Sequence, residues 1–135
     1  MKDVKRRIPL FIVPICAALV ITVAAVGWRE RVRHVEACLT AHRRFLDSLI
    51  YLEGDAGYRY MSRDYQSSHS VDCHRLQAKM FEPLSRGPWH CIRYGRGRCW
   101  VGRRDSEGRV GGIVYEYSFE NEQWKFTGNV RPYLR

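Results

Sequence analysis

The side chains of this chain best equipped for chemistry are its cysteines and histidines. Cys73-His74, His90-Cys91, Cys99 and His69 supply ligand types suited to zinc. Familiar zinc sites pair their ligands two to four residues apart, however, and neighbours such as Cys73 and His74 diverge by about 100° on a helix. No metal site is expected. The chain has no G-x-S-x-G, no Walker-type glycine loop and no cysteine with a reasoned histidine partner. No catalytic residue and no cofactor site are therefore assigned. Were a pocket to form between helices and sheet, His42, His90, Tyr94 and Tyr115 would be the acid–base groups nearest to it, with Asp64 arriving from a loop.

Cys16 falls in an apolar run, which leaves Cys38, Cys73, Cys91 and Cys99 in the remainder. An even number suits an oxidising compartment, where each disulfide would stabilise a domain of this size by about 2–4 kcal/mol. The candidate pairs are Cys91 with Cys99 across a hairpin and Cys38 with Cys73 between two helices. The alternative is four buried thiols in a reducing compartment.

Arg93, Arg96, Arg98, Arg103, Arg104 and Arg109 form the densest basic stretch, expected at hairpin tips. Such a patch suits lipid headgroups, polyanions or an acidic partner, or else is simply a set of solvated turns. Nucleic acid ranks low among these partners, because stacking needs exposed aromatics and the aromatics here are assigned inward. Lys and Arg number 23 against 14 Asp and Glu, and the surplus is not confined to the leader with Lys2, Lys5, Arg6 and Arg7.

These residues depend on elements that can be read from periodicity. Ile8 to Gly27 is twenty residues without a charge, about 30 Å as a helix, which matches the hydrocarbon thickness of a bilayer. Residues 1–7 are then a basic cytoplasmic leader, 8–27 a transmembrane helix and 28–135 one domain of a size that supports one core. Ala25-Val26-Gly27 is also compatible with signal cleavage, but an apolar core this long favours an uncleaved anchor. Arg29, Arg31 and Arg33 follow the run, so the positive-inside bias is slight; the denser leader points to an N-terminus in the cytoplasm and a domain outside.

After the anchor, Val32, Val35, Leu39, His42, Leu46 and Leu49 recur at three and four, which predicts a helix over about 29–53 ended at Gly54. Residues 56–70 read as a long loop whose Tyr58, Tyr60 and Tyr65 tuck back onto a core. A second helix is predicted over about 71–82, capped by Ser70, with Cys73, Leu76 and Met80 on one face and Pro83 beyond. Four strands follow, about 89–94, 98–104, 110–119 and 123–131, joined by short turns as an antiparallel meander. The paper register opposes Cys91 to Cys99, His90 to Trp100, Trp100 to Ile113 and Tyr117 to Trp124. It collects Ile92, Tyr94, Trp100, Ile113, Tyr115, Tyr117, Phe119, Trp124, Phe126 and Val130 on one face, to be covered by the helices. The fold class is α+β: an N-terminal transmembrane helix, then two helices packed on one face of a four-stranded antiparallel meander.

The order helix, loop, helix, meander, closing on Tyr115-Glu116-Tyr117 through Trp124-Lys125-Phe126, resembles the cystatin-like and NTF2-like α+β roll group. With the basic leader and single span, the layout resembles VirB8-type components of secretion and conjugation machines. That resemblance implies a non-enzymatic interaction or assembly module of an envelope complex, with the lipid bilayer and other membrane or envelope proteins as partners. The alternative is a small membrane-tethered or secreted roll enzyme or ligand-binding domain, since the group contains both.

Overall fold

The structure, a computed structural model, describes residues 12–51, 55–75 and 88–132. The element order is α1 (Ile12–Tyr51), α2 (Asp55–Tyr58), α3 (Arg63–Ser68), β1 (His90–Gly95), β2 (Arg98–Arg104), β3 (Val110–Glu120) and β4 (Gln123–Pro132). The chain is therefore α+β, with a long apolar N-terminal helix and a four-stranded antiparallel sheet of order β1-β2-β3-β4. It divides into two compact units, Met1–His34 and Val35–Arg135.

In the first unit, α1 carries Ile12, Val13, Ile15, Leu19, Val20, Ile21, Val23 and Val26 as exposed apolar side chains. The Thr22 hydroxyl donates to the Ala18 carbonyl at 2.8 Å, so the polar group within the run is satisfied by its own helix. This helix is long and apolar enough to cross a membrane. Residues 8–11 of the predicted span lie outside the described residues.

In the second unit, the buried positions of α1 are Cys38, His42, Phe45, Leu46 and Ser48, with Leu39 partly buried. Cys38, His42 and Phe45 stand at i, i+4 and i+7, so the inward stripe is turned slightly from the predicted one. Phe45 packs on Phe126 with ring centroids 4.8 Å apart, and His42 is flanked by Trp89 and Tyr115.

The stretch 56–70 is not the long loop that its composition suggested, because α2 and α3 occupy most of it. Ser62 caps α3, its Oγ accepting from the Tyr65 amide at 3.2 Å, and Asp64 complements the first turn. The tyrosines do tuck inward: Tyr65 is buried, and Tyr58 and Tyr60 are partly buried against the core. Residues 71–75 are helical, with His74 rather than Cys73 fully buried; 76–82 of the predicted helix, including Leu76 and Met80, lie outside the described residues.

The strand boundaries fall within a residue of expectation, but the register does not. Two-residue turns at Arg96-Gly97 and Asn121-Glu122 have positive φ at both positions, matching the right-handed twist of the flanking strands. They oppose Tyr94 to Cys99 and Phe119 to Trp124, where longer turns were expected. Each ladder also contains a bulge, between Cys91 and Arg93, Val101 and Arg103, and Tyr115 and Tyr117. Gly112 and Gly128, at φ of +77° and +83°, sit in the extra residues of β3 and β4, a backbone conformation that side chains with a Cβ resist.

Directly opposed residues share a face. Tyr94, Cys99, Tyr117 and Phe126 thus line the inner face together, as do Val101, Tyr115 and Val130. Trp100, expected inward, instead lies on the outer face opposite Arg93 and Glu116, with the Arg93 guanidinium 5.3 Å from its ring centroid. His90 opposes Gly102 and is exposed, so it is not the core neighbour of Trp100 that the paper register made it.

Candidate functional site

None of the acid–base candidates His42, His90, Tyr94, Tyr115 and Asp64 lines the groove described below. His42 is fully buried, its Nδ1 2.7 Å from the Tyr117 hydroxyl, and its Nε2 has no hydrogen-bond partner among the described residues. Tyr115 is buried beside it, and burial pushes its phenol up to about 12. Asp64 is exposed at the start of α3. Tyr94 packs against Trp124 at 6.1 Å, away from His90.

A concavity lies elsewhere, a groove of about 410 Å³ on the second unit. Ala37, Thr40, Ala41 and Arg44, one face of α1, form one wall; Tyr60 and the β3–β4 turn from Glu122 to Lys125 form the other. Alanines at 37 and 41 keep the helix wall low, which leaves room over Trp124 and Tyr60. Two cations, Arg44 and Lys125, and one carboxylate, Glu122, stand around it. The Lys125 ammonium is partly committed, donating to the Arg59 carbonyl at 2.8 Å. Glu122 is held at φ +61°, in left-handed backbone that a non-glycine residue adopts at a cost.

No family model, curated protein or solved structure matches the chain.

The arginines singled out in the sequence do not make one patch. Arg96 and Arg98 stand at the β1–β2 turn, whereas Arg104 and Arg109 flank the β2–β3 turn at the other end of β2, roughly 20 Å away at a strand rise of about 3.3 Å per residue. An antiparallel meander puts successive turns at opposite ends, which is why neighbours in sequence part here. Most also have local partners. Arg98 pairs with Glu116, Arg104 donates to the Gly108 carbonyl at 2.8 Å, and Arg109 pairs with Asp105 at 3.1 Å and with Glu107. The Arg103 guanidinium lies 4.8 Å from the Trp89 ring centroid.

Glu116 is a functional-looking group that the sequence did not single out. It is only 5% exposed on the outer face, and its carboxylate accepts from Arg98 and from Asn129 Nδ2 at 2.7 Å. Burial alone would raise its pKa; the Asn129 amide and the Arg98 guanidinium outweigh that and hold it below the usual carboxylate range. Thr127 Oγ1 donates to the Glu116 carbonyl at 3.1 Å and accepts from the Asn129 amide at 3.2 Å. The group thus clamps the β4 bulge around Gly128.

All five cysteines are thiols, not joined in disulfides. Cys91 and Cys99 are not directly opposed, since Cys91 faces Val101. They are diagonal neighbours with sulfurs 3.6 Å apart, and both belong to the core side of the sheet rather than its polar face. Cys38 interacts with Cys99, so it does not stand apart as the partner of Cys73; Cys73 bears instead on Tyr65. The signal for this grouping was the i, i+4, i+7 spacing of Cys38, His42 and Phe45.

Proposed function

We propose that the protein is a single-pass membrane protein, N-terminus in the cytoplasm, whose α+β domain lies outside and acts as a non-catalytic assembly module of an envelope complex. In this reading the part of α1 beyond Val35 and the helical residues 71–75 lie on one face of the sheet, the arrangement of an NTF2-like roll. The observation that carries the membrane assignment is the exposed apolar surface of α1 from Ile12 to Val26. A contiguous apolar surface of that size is not tolerated in water and fits hydrocarbon. The module assignment is supported by an interior filled with Phe45, Tyr115, Tyr117, Trp124 and Phe126, so that recognition falls to the surface. Two surface features suit a partner chain: the groove along α1, and the outer edge of β1, which pairs only with β2 among the described residues.

The test has two arms. The chain should resist carbonate extraction, and added protease should reach a C-terminal tag in spheroplasts but not an N-terminal one. A photo-crosslinking residue at Thr40 or Gln123 should then yield a discrete protein adduct that the same residue at Ser106 does not. Extraction by carbonate removes the anchor; indistinguishable crosslinks at the three positions remove the groove. The size of the groove also favours a second reading, a small-ligand domain. That reading predicts a rise in Tm with a small anionic ligand and no protein adduct.

A further inference from the structure

The three thiols at Cys38, Cys91 and Cys99 differ in access, and that difference orders their chemistry. Cys91 on β1 is half-buried, while Cys99 on β2 and Cys38 on α1 are fully buried. The Cys91 sulfur lies 3.6 Å from that of Cys99, at van der Waals contact, and 3.5 Å from the Arg93 carbonyl. A disulfide needs the sulfurs at about 2.05 Å, so forming the bond requires the pair to close by about 1.5 Å. We propose that Cys91 and Cys99 are a dithiol modification site, in which Cys91 accepts a low-molecular-weight disulfide such as oxidised glutathione and Cys99 resolves the adduct.

The chemistry balances in two exchanges. The Cys91 thiolate attacks one sulfur of the small disulfide, forming a mixed disulfide and releasing one small thiolate. The Cys99 thiolate then attacks the Cys91 sulfur, forming the Cys91–Cys99 bond and releasing the second. Two protein thiols are oxidised, one small disulfide is reduced, and the two protons leave on the released thiols. The hydrogen bond with Cys38, together with burial, pushes the Cys99 thiol up, while Cys91 pulls it the other way. Cys99 is also fully buried, so the second exchange is the slow one, and the mixed disulfide on Cys91 accumulates before the bridge appears. The product would tie edge strand β1 to β2. This chemistry does not rest on the proposed function, because it follows from the sheet alone.

The test uses the full chain in detergent micelles, exposed to oxidised glutathione at mildly alkaline pH and quenched with alkylating agent at intervals. Trypsin cuts at Arg93, Arg96 and Arg98, so the two cysteines fall on separate peptides and the bond between them is read directly by mass spectrometry. Glutathione on Cys91 should rise first and give way to the Cys91–Cys99 bridge. Cys99→Ser should leave the mixed disulfide standing, with loss of the bridge. Cys38→Ser should quicken the second exchange and shift its pH profile to lower pH. Modification confined to Cys16 and Cys73, or a bridge from Cys91 to a residue other than Cys99, overturns the proposal. So does persistent alkylation of Cys91 and Cys99 after glutathione has modified the other thiols.

Discussion

Gly128→Ala offers a demanding test of the sheet, because two separate costs meet at one position. Gly128 lies in the β4 bulge at φ +83°, and a Cβ built there would stand 2.4 Å from Cδ2 and 2.8 Å from Cε2 of Tyr65. Left-handed backbone at a non-glycine residue costs on the order of 1–2 kcal/mol. Forcing a methyl against a packed ring costs about 1–3 kcal/mol more, since Tyr65 is buried and stacks on His69 with centroids 4.2 Å apart. The sum is roughly 2–5 kcal/mol. In a domain of about 100 residues this lowers Tm by on the order of 10–25 °C. Thermal unfolding followed by near-ultraviolet circular dichroism, in the same detergent for every variant, measures it. Tyr65→Ala separates the two costs. In that background the ring is gone, and Gly128→Ala should cost only the backbone share, about 1–2 kcal/mol, so the two substitutions are coupled. Equal penalties in both backgrounds would refute the contact between α3 and β4, and a penalty under about 0.5 kcal/mol would refute the bulge.

Burial lowers the His74 pKa below its usual value, with Tyr58 and Tyr65 packed around the ring. The unfolded chain then binds the proton more readily, so stability is full above about pH 6.5 and declines as pH falls below it, by at most about 1.4 kcal/mol per unit; urea unfolding of His74→Gln should show a shallower decline. Glu116→Gln removes the carboxylate that Arg98 and Asn129 hold, at a cost of about 1–3 kcal/mol in urea titrations, and a loss below about 0.5 kcal/mol would show that the network is incidental. Glu122→Gly relieves left-handed backbone and should raise Tm by several degrees while weakening any partner held by the groove; an unchanged Tm would argue against the two-residue turn. Binding to anionic vesicles should fall for Arg96→Ala and stay level for Arg109→Ala, whose charge is already met by Asp105 and Glu107; equal losses would count against local pairing.

Much of the architecture was legible because it rests on strong local signals. The charge-free run announced α1, and Val, Tyr and Trp runs between turn residues located the four strands to within a residue. What failed was register, for a reason visible in the residues. A turn rule looks for glycine where φ is positive, yet Arg96, Asn121 and Glu122 take that conformation here, and each ladder absorbs a bulge. One slip exchanged the faces of Cys99 and Trp100, with consequences for every pairing inferred from them. The Ser62 cap of α3 went unread in a stretch whose polar composition suggested a loop. Glu116 looked like an ordinary outward carboxylate, because its partners come from β2 and β4, and only the bulge brings Asn129 to it. The arginine patch dissolved for a topological reason, since sequence proximity across a strand of seven residues is distance in space.

The two edges of the sheet are unequal. On β4, the amide of Phe126 donates to the Tyr60 carbonyl and its carbonyl accepts from the Ser62 amide, both at 2.7 Å, so the middle of that edge is already taken by its own chain. At the other end of the strand order β1 pairs with β2 alone among the described strands. A strand added at the middle of β4 would first have to displace Tyr60 and Ser62, so two backbone hydrogen bonds of the chain itself close the sheet to growth on that side.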